Sequence, residues 1–84
     1  MLQIHQNEIK KINGLYVSQL YKDYYAVELV VKRGANYFRI RYPYNIRTDA
    51  EHALAQIRQG KFHVKKPAYK PVIHLMDVRR EKVL

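Results

Sequence analysis

The chain has 84 residues, with 16 Lys+Arg against 7 Asp+Glu, a formal charge of +9 and no cysteine. That length makes one small domain, 1–84, whose thin core is one sheet face covered by one helix, and the lack of cysteine excludes disulfide staples and thiolate metal sites. No apolar run reaches the roughly 18 residues that span a bilayer and no signal peptide is legible, so no membrane contact is expected, a cytoplasmic setting in a bacterium or virus is, and the cations suit a polyanion.

The opening residues, MLQIHQNEIKKI, mix apolar and polar types without a clean period. Asn13-Gly14 is a short hairpin signal, which predicts that Glu8–Ile12 and Leu15–Tyr21 pair as outer strands. Either Leu15, Val17 and Tyr21 or Tyr16 and Leu20 then face the core, depending on the length of the Lys22-Asp23 turn.

Residues 24 to 42, YYAVELVV-KRGA-NYFRIRYP, predict a second hairpin. Gly34-Ala35 suits a two-residue type II′ turn, because glycine supplies the positive φ at the first central position. This turn sets Lys32 opposite Tyr37, Val31 opposite Phe38, Val30 opposite Arg39, Leu29 opposite Ile40, Glu28 opposite Arg41 and Val27 opposite Tyr42. Opposed residues share a face. Val27, Leu29, Val31, Phe38, Ile40 and Tyr42 therefore make an apolar face, and Glu28, Val30, Lys32, Tyr37, Arg39 and Arg41 a basic one. Glu28 and Arg41 are placed to pair. Pro43 is expected to close the strand, since it removes a ladder donor.

A helix is predicted over Ile46–Gln59. Thr48 is the expected N-cap and Glu51 the second member of a capping box. Ala50, Ala53, Leu54 and Ile57 fall at i, i+3, i+4 and i+7 and define its buried stripe. They are expected against Val27, Leu29, Phe38 and Ile40, with Gly60 ending the helix as the C′ residue. The core of the domain is thus about 15–60, and 61–84 a carboxy-terminal extension. Pro67 and Pro71 keep part of that extension out of any helix. Val72–Val78 is suited to an edge strand or to packing on the helix, and Asp77–Leu84 to a strand end or a short basic helix. The fold class is α+β, a three- to four-stranded antiparallel meander packed by one helix.

Candidate chemistry is sparse. His5, His52, His63 and His74 lack metal-ligand spacing and read as surface histidines. Ser18 has no evident base or glycine elbow, three glycines are too few for a phosphate cradle, and paired carboxylates are scarce. No metal or cofactor is expected. An acid–base ribonuclease needs only a proton-transfer group and a phosphate-binding cation, which His63, Tyr69, His74, Arg79 and Arg80 could supply. The tail PVIHLMDVRREKVL, residues 71–84, resembles the final strand and basic end of the RelE/ParE toxin family. That family places helices before its sheet, whereas here strands lead. Of the eight tyrosines, Tyr25 and Tyr42 fit the core and Tyr37 lies on the basic face. Most of the others read as good strand residues with a polar tip.

Strands followed by the helix opening I-R-T-D-A-E-H-A resemble the amino-terminal arm-binding domain of tyrosine integrases and the plant ethylene-response-type DNA-binding domains, over residues 15–60. In those families a three-stranded sheet enters the major groove and one helix backs it. The resemblance implies that Lys32, Tyr37, Arg39 and Arg41 contact duplex DNA.

The leading expectation is a non-enzymatic nucleic-acid-binding module with duplex DNA ahead of RNA. Lys32, Arg33, Arg39 and Arg41 would meet phosphates or base edges, Tyr37 a sugar or base, and Lys61, Lys65, Lys66 and Lys70 would lengthen the basic surface. The first alternative is a small phage or mobile-element protein-interaction or inhibitor module, whose basic face mimics or masks a nucleic-acid partner or docks on an acidic protein surface; the second is the ribonuclease. A homodimer is compatible with each, through an open sheet edge.

Overall fold

The computed structural model describes residues 5–77. Strands β1 (Ile9–Val17), β2 (Tyr25–Arg33) and β3 (Asn36–Tyr44), helix α1 (Arg47–Arg58) and strand β4 (Val72–Leu75) follow in that order. The strands form one antiparallel sheet in the order β1-β2-β3-β4, an α+β fold.

The β2–β3 hairpin has the register set by its turn, from Arg33 opposite Asn36 to Tyr25 opposite Tyr44. Gly34 has φ +62, while among the described residues Asp23 is the one non-glycine with positive φ. A type I′ turn would need positive φ at Ala35 as well, so the turn is of the II′ kind. The alternation of strand side chains then sends Val27, Leu29, Val31, Ile40, Tyr42 and Tyr44 to one face, where all are buried. Fully burying a side chain such as Leu29 contributes about 1.5–3 kcal/mol, so this face anchors the domain.

Helix α1 lies on that face, with Ala50, Ala53, Leu54 and Ile57 buried against it. Ala50 and Ala53 keep the helix close to the sheet. Its start differs from expectation. Ile46 is the N-cap and makes no side-chain cap bond, and Thr48 lies inside the first turn. Its end is as expected. Gly60 (φ +78) donates to the Ile57 carbonyl and Lys61 to the Gln56 carbonyl, the paired bonds of a Schellman motif.

β1 corrects the reading of Asn13-Gly14 as a hairpin turn. Residues 9–17 form one continuous strand with two register shifts, between Ile9 and Lys11 and between Ile12 and Gly14. The second shift places Gly14, at φ +118, in a bulge, where an L side chain would be strained. Each bulge inserts one residue, so Ile9, Ile12 and Leu15, three apart in sequence, all reach the core. The β1–β2 connection runs over residues 18–24 instead. Ser18 Oγ accepts the Leu20 and Tyr21 amides there, and Asp23 takes φ +54.

Pro43 does not close β3, which continues to Tyr44. The Pro43 carbonyl points away from β2 and accepts the Ala68 and Tyr69 amides. The missing proline N–H shares that outward side, beyond the reach of β4, which pairs only with Phe38–Arg41. No ladder bond is lost. β4 is one edge strand and β1 the other, and the part of the tail from residue 78 onward lies outside the described residues.

Candidate nucleic-acid interface

The sheet face opposite α1 carries the basic set of the hairpin. Cross-strand pairing places Lys11 beside Val30, Val30 beside Arg39 and Arg39 beside His74, with Tyr16 beside Ala26 one end further along. Lys32 lies over the ring of Tyr37, 5.6 Å from its centroid. Val30, Ala26 and Pro43 are buried on this side, which gives the polar side chains an apolar floor.

Arg41 is the fixed point. Its Nε donates to Glu28 Oε2 at 2.7 Å, and its guanidinium stacks 3.8 Å from the centroid of Tyr16. Asn13 Nδ2, placed by the bulge in β1, donates to the other Glu28 oxygen at 2.7 Å. Burial pushes the Glu28 carboxyl pKa up. The hydrogen bonds from Arg41 and Asn13, with the charges of Arg41 and Arg39, outweigh it and hold the group below the usual range. Arg39 makes no ion pair among the described residues and keeps its charge available.

Tyr16 continues into a run of rings. Tyr24 meets it edge-on at 6.4 Å, Tyr21 lies 6.2 Å from Tyr24, and Tyr69 stacks on Tyr24 at 5.9 Å with an angle of 12°. Tyr21 and Tyr69 are exposed. This cluster was not legible from spacing, because Tyr69 reaches it from the loop after the helix. The one sequence signal was the high tyrosine count.

The candidate residues divide between the two sides of the sheet. Lys32, Tyr37, Arg39 and Arg41 share the open face. Arg33 does not; its partner Asn36 and its parity with Val31 put it on the helix side, where its Nε donates to Glu8 at 2.9 Å. Lys65 is paired with Asp49 of α1 at 2.8 Å. Lys61 follows the helix end, and Lys66 lines an open groove of about 600 Å³ with Lys70, Pro67, Pro71, Ile40 and Ile73. These lysines do not extend the cationic face.

The ribonuclease residues are also separated. His63 borders a small recess beside α1 with His52 and Asp49, whereas His74 lies on the open face beside Arg39. Arg79 and Arg80 lie outside the described residues. Burial pushes the Tyr42 and Tyr44 phenols up to about 12, and Tyr44 donates to the Lys65 carbonyl. Tyr42 thus packs in the core, and Tyr44 ties the core to the loop after the helix. Among the described residues, no three His, Asp or Glu side chains are grouped to hold a metal ion, and no helix is long and apolar enough to cross a membrane.

No protein-family model, curated protein or solved structure matches this chain.

Proposed function

We propose that the protein is a non-enzymatic nucleic-acid-binding module whose contact surface is the sheet face opposite α1. The observation that carries this reading is the division of charge. On the helix side Glu8, Asp49 and Glu51 are within ion-pair distance of Arg33, Lys65 and Arg47. On the open face, among the described residues, Arg41 pairs with Glu28 while Lys11, Lys32 and Arg39 have no acidic partner. Unneutralised cations on a rigid sheet attract phosphates, and guanidinium groups pair with them in two places.

The test is an anisotropy titration of labelled oligonucleotides at several salt concentrations. Lys32→Ala and Arg39→Ala are the informative variants, because among the described residues neither has an ion-pair partner to strand. Binding that weakens with salt and falls in both variants supports the proposal. No binding at low salt removes it. In that event the groove beside β4, with exposed Ile73 and Leu75 and with Lys66 and Lys70 at its rim, favours the second reading, docking on an acidic protein surface.

A further inference from the structure

We infer that the nucleic acid taken by this face is single-stranded, lying across the sheet rather than presented as a duplex groove; the inference rests on the nucleic-acid reading above. The three-stranded families that the central segment resembles insert their sheet into the major groove. Here β4 is added directly beside the strand that carries Arg39 and Arg41, pairing with Phe38–Arg41. Four strands at about 4.8 Å spacing put the outer axes about 14 Å apart before side chains are counted. The major groove is only about 12 Å wide. With β1 and β2 on one side and β4 on the other, the arginines of β3 cannot be lowered to base edges without the flanking strands meeting the phosphate walls.

A flexible strand has no such walls, and the face is furnished for one. Tyr37 stands at the turn end of the hairpin, and Tyr69 at the other end is exposed and stacked on Tyr24. Between them Arg41 is held over the ring of Tyr16, with Arg39 beside it as a phosphate partner. Rings that stack bases, alternating with cations that track the backbone, bind single strands without requiring a particular sequence. From Lys32 to Tyr24 the track runs about 26 Å along β2 at the usual rise per residue, within the longest dimension of 34 Å.

The chain has eight tyrosines and no tryptophan, so tyrosine fluorescence reports base stacking directly. The probes are an oligothymidylate and an oligouridylate of about 12 nucleotides, a length within the range such folds occupy, and a duplex of the same length. The expected result is at least tenfold tighter binding of the single strands, with tyrosine quenching. Tyr37→Ala and Tyr69→Ala should each lose roughly five- to a hundredfold of that affinity, the range for one stacked base. Tyr69→Phe, which keeps the ring, should restore it, and an unchanged far-ultraviolet circular dichroism spectrum shows the fold intact. Equal or tighter duplex binding, or alanine variants that fold and bind single strands normally, overturns this inference and leaves the wider reading standing. Binding of none of the probes at low salt overturns both.

Discussion

Arg39 and Arg41 lie two residues apart on the same face, yet their removal should have different consequences. Arg41→Ala deletes a charge-assisted hydrogen bond to Glu28 and the stack on Tyr16. The Arg41 side chain is 29% exposed and Glu28 16%, so solvent screens the pair only in part. A hydrogen bond to a charged group contributes about 1.5–3 kcal/mol, and a partly desolvated cation–π contact about 1 kcal/mol. A loss of about 3 kcal/mol follows, or roughly 12–24 °C in melting temperature for a domain of this size. Arg39→Ala breaks no ion pair among the described residues and should cost below about 0.5 kcal/mol. Thermal and urea unfolding of the two variants, with Glu28→Gln and the double variant Glu28→Gln/Arg41→Ala, gives the comparison and its coupling energy. Equal destabilisation by Arg39→Ala and Arg41→Ala, or a neutral Arg41→Ala, would refute the assignment of one arginine to structure and the other to ligand.

Other outcomes follow from the same geometry. The folded Glu28 carboxyl titrates below its ordinary value of 4.5, so its contribution is present above that pH and is lost as pH falls through the depressed folded value; Glu28→Gln should flatten the stability profile in this acid window, as read by urea unfolding at stepped pH. Gly14→Ala should destabilise by about 1–2 kcal/mol through backbone strain at φ +118 alone, since its Cβ would lie 3.6 Å from Arg58 Nη2 without a clash. Leu29→Ala, at a fully buried site, should cost about 2–5 kcal/mol in the same assay. If Lys11, Lys32 and Arg39 each neutralise one phosphate of a single strand, log affinity should fall with log salt at a slope of about −2, and Arg39→Ala should reduce that slope by about 0.7.

The central hairpin was legible because its turn glycine and its period-two pattern agree on one register, and a slip of one residue would have mixed the faces. The helix stripe and its terminal glycine were legible for the same reason of local consistency. β1 was not. Two bulges convert a three-residue spacing of Ile9, Ile12 and Leu15 into one strand face, and Asn13-Gly14 satisfies a bulge with the chemistry that otherwise marks a turn. Thr48 and Glu51 have capping-box spacing, but the N-cap falls two residues earlier, at Ile46, so the motif is unused. Of the candidate site, Tyr37, Arg39 and Arg41 could be placed by strand parity. The same parity assigns Arg33 to the helix side, a signal present in the register and outweighed by its charge. The tyrosine run from Tyr16 to Tyr69 depends on the long-range contact of Tyr24 with Tyr69, which no local pattern encodes.

The most direct test of the open face as the contact surface is amide chemical-shift mapping of the labelled protein during titration with an oligothymidylate of about 12 nucleotides. Shifts concentrated at Tyr16, Lys32, Tyr37, Arg39 and Arg41, with the Ala50–Arg58 stretch of α1 unmoved, are the predicted result. Shifts centred on α1 or on the groove residues Arg33, Lys66 and Lys70, with the open face silent, would contradict it.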